Sequence, residues 1–223
     1  MKVFLLSFVL FSLFSCSEET VPKLLPVEPT PTPDRGGYDQ LKPQSFSVVG
    51  EYGTQWHAEW TQLVFDALDI QNSSLLEDDL NLYDLRKVNC SNYNVLPRLD
   101  KKKFWALFMA SISYFESSFN PAERYWESSM GKYSEGLLQL SIDDSDYYDF
   151  CELNRTTILN PENNLSCGMS VMAKQISGSK RRPSGELFPK SMFYWSVLTR
   201  VKMKNKVITF FNKRVNEIIP SCF

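Results

Sequence analysis

Glu116 follows directly on an apolar helical stripe and opens the run Glu116-Ser117-Ser118-Phe119-Asn120-Pro121. Ser, Asn and Pro end helices, and Pro121 restricts Asn120, so the glutamate is placed at a helix C-terminus. Phe115 and Ile112 beside it exclude water, and the negative end of the helix dipole lies close by. Both effects disfavour the ionised carboxylate. A carboxyl kept protonated near neutral pH can hand its proton to the oxygen that leaves when a glycosidic bond breaks. A second acid, Glu127, follows in Arg124-Tyr125-Trp126-Glu127. Hydrolysis with inversion needs a second carboxylate to activate water, roughly 6.5–9.5 Å from the first. Glu127 is the leading candidate, with Glu135, Asp143 and Asp144 behind it. From the residues alone, Glu116 also fits a surface acid at a frayed helix end, and Glu127 an acid paired with Arg124.

Three pieces in order change the weight of these readings. Glu116-Ser117-x-Phe119-x-Pro121, Ser134-x-Gly136-Leu137-x-Gln139 and Asn160-Pro161-x-x-Asn164-Leu165-x-x-Gly168 together resemble the signature of lytic transglycosylases and goose-type lysozymes. The resemblance implies a lysozyme-like helical fold. It also implies cleavage of the β-1,4 bond between N-acetylmuramic acid and N-acetylglucosamine in peptidoglycan, with Glu116 as catalytic acid. Ser134, Gly136 and Gln139, with Tyr133, fall where that family shapes its glycan-binding cleft. The family's later Ala-Tyr-Asn-Ala-Gly stretch, whose tyrosine touches the acid, is replaced here by Phe193-Tyr194-Trp195-Ser196. Tyr194 is the residue of matching type.

The interval between Glu116 and Gly136 is longer than that family's, and it holds Glu127. A lone glutamate suffices for a transglycosylase, because the substrate's own N-acetyl group and 6-hydroxyl complete the displacement. The Glu116–Glu127 pair is also similar to lysozymes of predatory bacteria that prefer deacetylated peptidoglycan. The expectation is a hydrolytic muramidase acting on glycan strands, their glucosamine acetylated or not. A lytic transglycosylase giving 1,6-anhydromuramic products is the alternative, and a non-catalytic glycan-binding lipoprotein is a further one.

These residues need elements to hold them. Helical periodicity is read over Gln55–Asp69, Lys101–Phe115, Ser191–Thr199 and Lys204–Ile219. Asn160 caps a further helix with Pro161 at its first position, running to Ile176. Tyr133–Ser141 is the best place for a short hairpin. The expected class is mainly α (α+β), a lysozyme-like helical domain with a small β-hairpin over residues 51–223.

Residues 1–15 read as an export signal. Lys2 precedes an apolar stretch, Val3–Phe14, that is too short to cross a bilayer. Leu13-Phe14-Ser15-Cys16 resembles a bacterial lipobox, which implies cleavage before Cys16 and lipidation of its thiol. Ser17 in place of Asp implies the periplasmic face of the outer membrane. Residues 16–50 hold six of the chain's twelve prolines and read as a disordered tether.

The four remaining cysteines imply two disulfides in an exported chain. Cys151–Cys167 is favoured by proximity, leaving Cys90–Cys222. A formal net charge of −2 excludes a strongly basic nucleic-acid binder. A single histidine, His57, and the absence of C-x-x-C spacing argue against a metal site, and nothing calls for a cofactor. The chain is expected to act as a monomer.

Overall fold

The computed structural model describes residues 44–191 and 194–223. The export signal, Cys16 and most of the Pro-rich stretch lie outside these residues. Val48–Val49 (β1) pairs antiparallel with Gln55–Trp56 (β2). Helices follow at Ala58–Ile70 (α1), Ser74–Glu77 (α2), Leu82–Lys87 (α3) and Arg98–Ser117 (α4). A hairpin of Arg124–Glu127 (β3) and Lys132–Glu135 (β4) comes next, and then the helices Pro161–Ile176 (α5) and Val201–Ile218 (α6). The architecture is a lysozyme-like helical domain with small antiparallel hairpins.

The organising element is α4. Its sequence reads as a one-sided stripe, yet nearly every side chain from Phe104 to Ser113 is buried. A helix apolar all round must be enclosed, and α1 and α6 pack on it while Phe188 and Phe211 meet Phe108. The buried hydroxyl of Ser111 is satisfied within the helix by the Leu107 carbonyl at 2.7 Å. Tyr93 and Trp105 close the far end, their polar atoms sharing the Leu75 carbonyl at 2.7 and 2.9 Å. Two disulfides, Cys90–Cys222 and Cys151–Cys167, hold the C-terminal turn and the segment before α5.

Three expectations need correction. The hairpin lies upstream of Tyr133–Ser141, and only its second strand overlaps that segment. Its turn is Ser128–Gly131, where the Glu127 carbonyl accepts from the amides of Met130 and Gly131. Leu137 and Leu138, which were to continue the strand, are both fully buried, so the chain leaves the sheet to bury them. No regular helix spans 191–199; residues 192 and 193 lie outside the described ones, and only Ser196–Leu198 forms a 3₁₀ turn. The end of the stretch read as tether belongs to the packed unit, because Val48 is buried in the core.

Candidate active site

Glu116 sits in the last turn of α4. The helix stops at Ser118, whose φ is 53°, and Phe119 follows with a φ of 64°. Two consecutive left-handed residues without glycine turn the chain sharply, at a cost in backbone strain. Burial of the Phe119 ring against Trp56 and Tyr114 offsets it. The half-buried Glu116 is thereby left at the lip of the core. Burial and then the nearby charge of Glu127 push its carboxyl up to about 7, against the pull of the Arg200 guanidinium. The first cause is the one its sequence setting predicts. The second is a like charge from another element.

Glu127 ends β3. The register sets Tyr125 opposite Ser134 and Glu127 opposite Lys132, so Tyr125, Glu127, Ser134 and Lys132 share one face of the hairpin. Ser134 Oγ donates to Glu127 Oε1 at 3.4 Å. Arg124 belongs to the opposite face, where its Nε meets the Glu135 carboxylate at 2.5 Å. Arg124 therefore neutralises Glu135 and leaves Glu127 beside Glu116. Tyr133 also falls on that opposite face, edge-on to Trp126 with ring centroids 4.9 Å apart. It is therefore not on the Glu127 face, as a cleft residue would be. Tyr125, 60% exposed, is the hairpin tyrosine on the Glu127 face.

The loop behind the hairpin is pinned from three sides. Ser117 Oγ donates to the Leu137 carbonyl at 2.9 Å, tying the loop to the turn that carries Glu116. Trp195 Nε1 donates to the Leu138 carbonyl at 2.9 Å. Asn164 of α5 accepts from the Leu138 amide at 2.9 Å and donates to the Glu135 and Ile158 carbonyls at 3.1 and 3.0 Å. Gly136 has a φ of 76°, and a Cβ there would stand 2.4 Å from Asn164 Nδ2, so both backbone and space require glycine. Gly168 admits Leu138 in the same way, 2.1 Å from where its Cβ would be. Gln139 donates to the Gly136 carbonyl at 3.0 Å and the Glu123 carbonyl at 3.3 Å. It clamps the loop.

The remaining acids are committed elsewhere. Asp144 accepts from the Ser141 amide at 2.8 Å and from the Tyr194 hydroxyl at 2.5 Å. Tyr194 is therefore bonded to Asp144 and not to Glu116, as the family pattern had suggested. Asp143 lies 4.0 Å from Lys132 at the surface. Sequence reading missed two residues. Tyr125 could have been found by strand alternation, two positions before Glu127. Arg200 has no local signal, since α6 brings it back from far along the chain. Among the described residues no cluster of His, Cys, Asp and Glu could hold a metal ion.

No protein-family model and no curated protein matches the chain. Solved structures of Bd0314 DslA do resemble it. Its wild-type form 2 is 27% identical with a TM-score of 0.56, over 68% of this chain and 87% of that one. A variant with a glutamate-to-glutamine change at position 143 is 29% identical with a TM-score of 0.55, over 69% and 88%. A second carries the same kind of change at position 154. The two altered glutamates of that protein are thus eleven positions apart, as Glu116 and Glu127 are here.

Proposed function

We propose that this chain is a peptidoglycan muramidase that hydrolyses the β-1,4 bond between N-acetylmuramic acid and N-acetylglucosamine or its deacetylated form. One observation carries this reading: a half-buried carboxyl whose proton is held to about pH 7 by burial and by the charge of a second glutamate. In this scheme Glu116 gives its proton to the leaving oxygen as the glycosidic bond breaks. Glu127 takes a proton from the attacking water, and the cycle closes when Glu116 is reprotonated. A sugar lacking its acetyl group cannot assist its own cleavage, so a second carboxylate has chemistry to supply there. Its ammonium is also attracted to a site holding two acids. Ser134 positions Glu127, while Gly136 and Gln139 shape the loop below. Tyr125 offers an exposed ring against which a sugar can stack.

The test is digestion of acetylated and deacetylated sacculi by wild type, Glu116→Gln and Glu127→Gln, with mass spectrometry of the products. Glu116→Gln should lose on the order of 10²-fold or more in rate. Wild type should give reducing ends, more from deacetylated substrate. Anhydromuramic ends from both wild type and Glu127→Gln would return Glu127 to a loop acid and make the enzyme a lytic transglycosylase. Undiminished turnover by Glu116→Gln would remove the catalytic assignment.

We further propose that the chain is exported, cleaved before Cys16 and anchored there by lipid to the periplasmic face of the outer membrane. Stable anchoring follows from having more than one acyl chain. Detergent-phase partitioning of wild type, lost in Cys16→Ser, checks this.

A further inference from the structure

Between Arg200 and Asn216 the sequence contains Arg200, Lys202, Lys204, Lys206, Lys213 and Arg214 and no Asp or Glu. This occurs in a chain whose net charge is −2. Helical spacing sets Lys202, Lys206, Thr209 and Lys213 on one face of α6. A cationic helix face is ordinarily just solvated. This one instead walls a cavity of about 760 Å³. Lys206 and Lys213 line it, and opposite them stand Tyr114, Phe115 and Ser118 of the α4 end that carries Glu116. Neither lysine has a carboxylate partner among the described residues.

Arg214 lines the cavity as well. Its guanidinium lies 3.6 Å from the centre of the Phe210 ring and donates to the Phe210 and Val49 carbonyls at 2.9 and 2.8 Å. Those bonds fix its position, and the charge of Glu217, which is not part of the cavity lining, also acts on it. One acid, Glu51, reaches the rim, next to the almost fully exposed Tyr52. The cavity thus offers three cations, one anion and apolar wall.

We propose that this cavity holds the peptide stem of the peptidoglycan strand being cut, a second subsite beside the glycan cleft. The inference rests on the muramidase reading, which fixes the substrate class. Such a stem leaves the muramic acid lactyl group and carries several free carboxylates, one free amine on its diamino acid, and short alkyl side chains. The carboxylates match Lys206, Lys213 and Arg214, the amine matches Glu51, and the alkyl groups match Phe115 and Tyr52. The spacing also agrees. Phe115 and Ser118, on either side of Glu116 in the chain, line the cavity, so it adjoins the turn that carries the acid. Lys206 and Lys213 are seven residues apart on α6, about 10.5 Å along its axis, and a four-residue stem, which spans at most about 14 Å, can meet both.

The experiment uses the full chain in two arms. The first measures binding of a synthetic Ala-isoglutamate-diaminopimelate-Ala tetrapeptide of natural stem stereochemistry to Glu116→Gln, with and without Lys206→Ala plus Lys213→Ala. The second compares cleavage of intact strands with strands stripped of their stems by an amidase. Two partly exposed ion pairs lost should weaken tetrapeptide binding, and raise KM on intact strands, by about tenfold. On intact strands kcat should hold, and kinetics on stripped strands should not change. Thr209→Glu, which sets a carboxylate between the two lysines, should reproduce the effect if the double variant folds poorly. Equal tetrapeptide binding with and without the lysines would overturn the subsite, as would a KM increase of the same size on stripped strands. Failure to cut any strand would sink the muramidase reading alone, because the binding arm needs no turnover.

Discussion

A carboxylic acid with a midpoint near 7 donates its proton only on the acid side of that midpoint. The rate on glycan should therefore fall about tenfold per pH unit above 7, a limb set by Glu116. Glu127→Gln removes the like charge and should move that limb to lower pH, whatever it does to the plateau. Arg200→Ala removes the opposing charge and should move it higher. A pH–rate series on the three proteins measures both shifts. The same displacement bears on stability. The folded state holds the Glu116 proton to about pH 7, while the unfolded chain releases it near 4.5. Folding therefore binds the proton more tightly, and stability falls as pH rises through that window. Glu116→Gln has no proton to lose, so it should be the more stable protein at pH 8, by up to about 3 kcal/mol less solvent screening. Thermal melts at pH 5 and pH 8 report the difference.

At the scale of elements, the site depends on α5 as much as on α4. Asn164→Ala would strip three partners from a buried loop, leaving the Leu138 amide and the Glu135 and Ile158 carbonyls unsatisfied. The expected loss is roughly 2–4 kcal/mol, with a fall in activity from the displaced hairpin. Urea melts and a sacculus assay on that variant test both parts. The cap that starts α5 was legible, since Asn160 accepts from the Glu162 amide with Pro161 behind it. The stripes of α1, α4 and α6 were legible too, and so was the placing of Glu116 in the last turn of α4. The hairpin was legible only in its second strand, because Leu137 and Leu138, which extend that strand's apolar run, are drawn into the core. The aromatic run ending in Trp195 gave a false helix for a similar reason. Tyr194 and Trp195 spend their polar atoms on Asp144 and Leu138, tertiary partners that a local pattern cannot contain. Arg200 was hidden by distance along the chain.

Across the whole molecule, the two disulfides close loops of very different size. Cys90 and Cys222 are separated by 132 residues, Cys151 and Cys167 by 16. Chain-entropy arithmetic gives about 5 kcal/mol for the first and about 3 for the second. Replacing Cys90 and Cys222 together by Ala should therefore lower the melting temperature more than replacing the other pair, which differential scanning calorimetry can rank. Loss of the long bridge also frees the turn after α6, the helix whose Phe211 packs on α4.

The two bridges are nested: the first cysteine of the domain joins the last, and the middle two join each other. On the export route proposed above, the chain presents Cys90 and then Cys151 to an oxidant before Cys222 arrives. Oxidation in that order would join the wrong partners, and reaching the nested pairs then takes reshuffling by thiol–disulfide exchange. Maturation of this protein should accordingly be a client process, limited by an isomerase instead of by an oxidase. In a host whose periplasmic disulfide isomerase is deleted, the yield of native chain should collapse, and replacing Cys90 and Cys222 together by Ala should relieve that dependence.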